Sequence, residues 1–195
     1  MEKKTTIIII AIVAIIAIAG AVGYLWYNAQ YDDNIVKASA YQKIALEAIN
    51  NDFEEIWEIN GFTEIDIIKK KITTIQKDLD EYSEAIQKVD LYLNNAKKYA
   101  KNDVEKEYID LLLKKNEGDK KASKASQTYL NTLTEYVNGK IGLLELNNKT
   151  LEFQNKSSST DSDDIDTGSE ISALLGDNPD FKQHLKSLNL DETYL

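Results

Sequence analysis

Between Ile65 and Ala100 apolar residues fall at alternating steps of three and four: Ile65, Ile68, Ile72, Ile75, Leu79, Tyr82, Ile86, Val89, Leu93, Ala96 and Ala100. An uninterrupted run of this kind predicts a long α-helix with one buried seam, since a strand would bury alternate residues instead. With Ile65 as the first heptad position, the residues flanking the seam are Lys71, Asp78, Ala85, Tyr92 and Tyr99. The first two are polar, as at a coiled-coil edge; the last three widen the apolar stripe. A stripe near three positions in seven packs against two neighbours, so the pattern favours an antiparallel bundle within one chain over a parallel two-stranded coiled coil. Gly61 and Thr63, just ahead of Glu64, supply start punctuation.

Neighbours for this helix lie on both sides. Over 33–59, Ile35, Ala38, Ala45, Ile49, Phe53 and Ile56 keep helical spacing up to a stop at Asn60-Gly61-Phe62. Over 119–153, Ala122, Ala125, Tyr129, Leu133, Tyr136, Leu144 and Leu151 do so more loosely. Gly139 and Gly142 each weaken a helix by about 1 kcal/mol relative to alanine and predict a kink. Between 100 and 119 two readings compete. Either the stripe slips phase through Val104, Tyr108 and Leu111, or Asn102 caps a new helix with Glu105 at the capping-box position. An unbroken helix over 64–115 would reach about 78 Å, against about 40 Å for 33–59. A break near Lys101–Asp103 is therefore expected, then a short helix over 103–115 and a turn at Lys115–Asp119.

After Phe153 the character changes. Residues 154–170 are polar, acidic and without periodicity, which predicts a disordered linker. Two short helices are expected beyond it. Ser169–Leu175 ends at Gly176, and Pro179–Leu188 opens with Asn178 as cap and Pro179 in the first turn. Phe181, Leu185 and Leu188 give the second an apolar face that either returns to the bundle or docks on a partner.

Ahead of the bundle, Ile7 to Tyr27 is a run without charge or proline. As a helix it spans roughly 31 Å, matching a hydrocarbon core of about 30 Å. Tyr24, Trp26 and Tyr27 cluster where rings favour the headgroup level, Lys3 and Lys4 precede the run, and Asp32 and Asp33 follow it. Residues 1–4 are thus expected in the cytoplasm and 28–195 outside. Cleavage at the small-x-small sites Ala17–Ala19 or Ala19–Ala21 is the rival reading. Apolarity continues past both sites through Val22, Leu25 and Trp26, further than a signal core of about 7–15 residues, so 5–27 reads as a retained signal-anchor. The pairs Ala17/Ala21 and Ala19/Gly23 offer a face for a second span.

Composition narrows the chemistry. The chain has no cysteine, so neither a disulfide framework nor thiol chemistry is available. All 23 basic residues are lysine, and the net charge is −10. Without arginine forks and with an acidic balance, nucleic-acid binding is not expected.

Few residues invite a site. His184 is the sole histidine, with Asp180 one turn earlier, but no nucleophile or second metal ligand accompanies it. Asp161, Asp163, Asp164 and Asp166 superficially resemble a calcium loop. The fifth, sixth and twelfth positions, however, hold Ile165, Asp166 and Ser172 where an oxygen ligand, glycine and glutamate belong. Asn148 and Asn155 head glycosylation sequons. Pairs such as Glu84–Lys88 are helix supports worth tenths of a kcal/mol. Tyr82, Tyr92, Tyr99, Tyr108, Tyr129 and Tyr136 read as core residues with outward hydroxyls, a ligand pocket between helices being the competing reading. No catalytic, cofactor-binding or metal-binding residue is expected.

The chain thus reads as all-α. A cytoplasmic N-terminus (1–4) and one N-terminal transmembrane helix (5–27) lead into an extracytoplasmic antiparallel helical bundle over 28–153, coiled-coil-like and of three to four helices. A disordered acidic linker (154–170) and short C-terminal helices (171–195) form a partly disordered acidic tail. The expected function is a non-catalytic structural or protein-interaction module at the cell surface. Its expected partners are membrane lipid around 5–27 and a second copy or another protein on the helical faces, with no cofactor and no nucleic acid. A ligand-binding or sensor ectodomain working with a partner membrane protein is the alternative.

Overall fold

The computed structural model describes residues 2–52, 59, 64–190 and 194, with side chains for 21–49, 59, 64–155, 166–190 and 194. Among the described residues there are five helices and no strand: α1 (Glu2–Asp52), α2 (Ile65–Tyr99), α3 (Asp103–Val137), α4 (Leu143–Asp177) and α5 (Pro179–Ser187). The stop at Asn60–Phe62, Thr63 and the apolar positions Phe53 and Ile56 lie outside that set.

The seam read from sequence is the inner face of α2. Ile68, Ile75, Leu79, Tyr82, Ile86, Val89, Leu93 and Ala96 are buried, and Ala85 joins them from the flanking position. Ile65, at the helix start, stays half exposed. Each buried Ile or Leu contributes about 1.5–3 kcal/mol. The break near 101 is present, and its cause is local. Asn102 Oδ1 accepts from the Glu105 N–H at 2.9 Å, while Glu105 Oε2 accepts from the Lys101 N–H at 2.6 Å. Two otherwise orphaned donors are thereby satisfied as α3 begins.

Three expectations are corrected. First, α3 does not stop at 115 but continues through Lys115–Asp119 to Val137. The residues that look like a turn are satisfied across the helix pair: Asn116 Nδ2 donates to the Ile86 carbonyl at 3.3 Å, and Gly118 is buried. Second, Gly139 and Gly142 do not kink one helix but separate two. Gly139 adopts φ 70°, the Lys140 N–H reaches the Glu135 carbonyl and the Gly139 N–H the Tyr136 carbonyl, both at 2.9 Å, and Gly142 caps α4. That is a Schellman ending, which favours glycine.

Third, the backbone over 154–170 is helical, as part of α4. Leu146 and Phe153 are buried near one end of α4, Thr167, Ile171 and Leu175 near the other. Phe153 and Ile171 stand eighteen residues apart, about five turns, so the same face returns with no slip in phase. Both ends are docked on α3: the Tyr129 and Phe153 rings stack at 4.6 Å, and Lys114 Nζ meets Glu170 Oε2 at 2.7 Å. A helix held in register at both ends needs no second nucleation, so poor formers in its middle are carried along. Ser169–Leu175 belongs to this helix rather than forming its own.

Successive helices pack antiparallel, α1 on α2, α2 on α3 and α3 on α4. The α2–α3 register shows in polar pairs: Gln76 with Gln127, Ser83 with Ser123, Asp90 with Lys120, Lys97 with Asp110. Two apolar clusters fill the core. One gathers Ala45, Ile75, Leu79, Leu130, Leu133 and Phe153; the other gathers Tyr31, Ile35, Leu93, Tyr108, Ile171 and Leu185. The helical bundle expected from sequence is therefore the fold.

The N-terminal expectation fares differently. No helical stretch among the described residues is long and apolar enough to cross a membrane. The described side chains begin at Ala21, so the expected transmembrane helix finds no support among them. Val22, Tyr24, Leu25 and Trp26 are all exposed.

Candidate functional site

Four pieces of chain converge where α1 enters the bundle: Tyr31 and Asp32 of α1, the α2–α3 turn, the first turns of α3, and α5 with the residues after it. Heptad spacing on α1 (Tyr31, Ile35, Ala38, Gln42, Ala45) sends Tyr31 inward, and it is fully buried. The capping box fixes Asn102 and Glu105 beside it. Asn178 and Pro179, where α4 gives way to α5, turn the chain back toward α1.

His184 lies here, but its partner is not Asp180. His184 Nε2 stands 2.8 Å from Asp32 Oδ1, across 152 residues of sequence. Asp180 lines an adjoining cleft of about 580 Å³ together with Lys101, Glu105, Asp177, Phe181 and His184. No hydroxyl or thiol is among the side chains lining that cleft. The same residues hold α5 in place. Leu185 is fully buried, the Phe181 ring meets Tyr108 edge-on at 5.4 Å, and Tyr108 Oη donates to the Tyr194 carbonyl at 2.6 Å. Burial pushes the Tyr108 hydroxyl well above its ordinary range. Tyr31 is raised too, by burial first and by Glu105 and Asp32 after it, and its hydroxyl finds no hydrogen-bond partner among the described residues.

Next to this junction the joint of α1 with α2 is aromatic. Tyr27 and Trp26 both meet Tyr99 edge-on, at 5.2 and 6.4 Å, and Tyr27 Oη donates to the Lys98 carbonyl at 3.3 Å. A half-buried polar group sits at mid-bundle. Asp119 accepts from Tyr82 Oη at 3.2 Å and from Gln42 Nε2 at 3.3 Å, tying α1, α2 and α3 together. Burial pushes its carboxyl above the usual range, with the two hydrogen bonds and Lys115 opposing.

The remaining candidates are not brought together. Tyr129 lines a cleft of about 190 Å³ with Thr128, Thr132, Lys149, Glu152 and Phe153, below the roughly 300–1,000 Å³ of small-molecule sites. The side chains of Asp161, Asp163 and Asp164 lie outside the described residues; Asp166 is exposed, and no cluster of three or more metal-ligand side chains occurs among the described residues. Asn148 and Asn155 are exposed on α4, within helix rather than on a loop, and the Thr150 hydroxyl of the first sequon is engaged with Tyr129 and the Leu146 carbonyl.

Sequence reasoning missed Asp32 as the partner of His184, and it missed Asp119. Heptad spacing on α1 reaches Tyr31 and Gln42, so part of that signal was available. The His184–Asp32 contact leaves none, because it depends on how α5 turns. Comparison with protein-family models, with curated proteins and with solved structures returns no match.

Proposed function

We propose that this chain is a single-pass membrane-anchored protein whose helical bundle is a non-catalytic structural or protein-interaction module at the cell surface. Residues 1–4 lie in the cytoplasm, 5–27 in the bilayer and 28–195 outside. One observation carries the reading: the backbone of α1 is continuous from Glu2 to Asp52. The uncharged run Ile7–Tyr27 and the first buried stripe of the bundle are therefore one rod, with no linker to uncouple them. Its length, the lysines ahead of it and the rings of Tyr24, Trp26 and Tyr27 behind it suit a retained anchor.

The placement of the polar groups speaks against catalysis. His184, Asp119 and Glu105 are each engaged in joining or capping helices. Single cysteines test the orientation cleanly because the chain has none of its own. Ser172 is exposed on α4. In intact cells Ser172→Cys is expected to react with a membrane-impermeant maleimide, and Thr5→Cys only after lysis. The reverse order of labelling overturns the reading.

A further inference from the structure

We propose that α5, together with Leu190 and Tyr194 beyond it, is a detachable clasp, and that its seat on α1 and α3 accepts the same segment from a second copy of this chain. The interaction-module reading would thereby gain a partner, and the inference rests on that reading though not on the membrane anchor.

Four observations point this way. The seat is made by elements remote from α4, which carries the clasp: Asp32 of α1 meets His184, and Tyr108 of α3 meets both Phe181 and the Tyr194 carbonyl. Nothing in those contacts depends on which copy supplies the segment. The joint between α4 and α5 is one residue, Asn178, followed by Pro179 in the first turn of α5. Short hinges of this kind favour exchange of an element between protomers. The dock is also incomplete. A cleft of about 580 Å³ remains alongside, and the Tyr31 hydroxyl is left buried without a partner among the described residues. Finally, the fit is already proven in one chain: Leu185, Leu190 and Tyr194 are buried in the same cluster as Tyr31 and Tyr108. A second copy carries that same complementary surface.

The test uses full-length chains carrying either Asp32→Cys or His184→Cys, with different tags, mixed and treated with a short bismaleimide. Either change removes one partly exposed pair and leaves the buried contacts of Leu185, Leu190 and Tyr194 that seat the segment. The expected result is a mixed-tag covalent dimer in excess of both like-tag dimers. Replacing the hinge by Asn178→Ala with Pro179→Ala lets α4 and α5 run on as one helix, away from the home seat, and raises the mixed product. Inserting four glycines after Asn178 eases closure onto the home seat and lowers it. Leu185→Asp removes it; should that variant fail to fold, the hinge pair decides. A mixed product no greater than the like-tag products, or one indifferent to both hinge changes, overturns the proposal. Exchange persisting in a chain that washes off membranes would overturn the anchor alone, whereas absence of exchange in a firmly anchored chain would overturn the clasp alone.

Discussion

Asp119 is a carboxyl held where carboxylates are uncomfortable. Its hydrogen bonds from Tyr82 and Gln42 recover part of the cost of burial, yet its pKa is still raised. A raised folded-state pKa means that the native chain binds more protons than the unfolded one between the ordinary carboxylate value and the raised one. The stabilising contribution is full below the ordinary value and is lost as pH rises through the raised one. Asp119→Asn is therefore expected to raise the melting temperature at pH 7. It should also flatten the gain in stability on mild acidification, measured by thermal denaturation across pH. Gly139 makes a residue-scale prediction of the opposite sign. At φ 70° an alanine is strained although space around it is open, so Gly139→Ala is expected to cost about 1 kcal/mol. Gly142, at φ −90° with equally open space, should accept alanine at a few tenths to 1 kcal/mol, the cost of a weaker cap. Chemical denaturation of each variant reads its cost, that of Gly139→Ala being expected to be no smaller than that of Gly142→Ala.

At the scale of elements, the legible parts are those where one physical signal speaks alone. The α2 seam shows in sequence because every inward position from Ile68 to Ala96 is apolar, and the start of α3 shows because Asn102 and Glu105 stand at capping distance. The end of the helix expected over 103–115 is misplaced because Asn116, Gly118 and Asp119 have turn-forming chemistry, and only the facing residues Ile86, Tyr82 and Gln42 reveal that they are satisfied within a helix. The stretch 154–170 misleads for a related reason. Its serines and aspartates are weak helix formers, and what holds them in register is docking at Phe153 on one side and Ile171 on the other. Ser158→Pro distinguishes the two descriptions. In a continuous α4 it removes a backbone hydrogen bond and costs about 3 kcal/mol, whereas a free linker would accept it with no change in denaturation midpoint.

Across the whole molecule the bundle is an up-and-down array whose first helix is longer than the array it serves. At its emergence α1 is braced by Tyr99 of α2 and by His184 of α5, so any force on the N-terminal rod passes directly into the core around Tyr31 and Tyr108. The candidate site is only partly visible in sequence: His184 stands out as the sole histidine, while Asp32 becomes its partner only once α5 has turned back.

Above all, the proposed role depends on whether residues 5–27 remain in the bilayer as part of the mature chain. Alkaline extraction of membranes from cells making the full-length protein, followed by N-terminal sequencing of the pelleted and released fractions, reads this directly. The expected outcome is a chain in the pellet that still begins upstream of Ile7; a chain released into the supernatant, or one beginning near Gly20, would contradict the anchored reading.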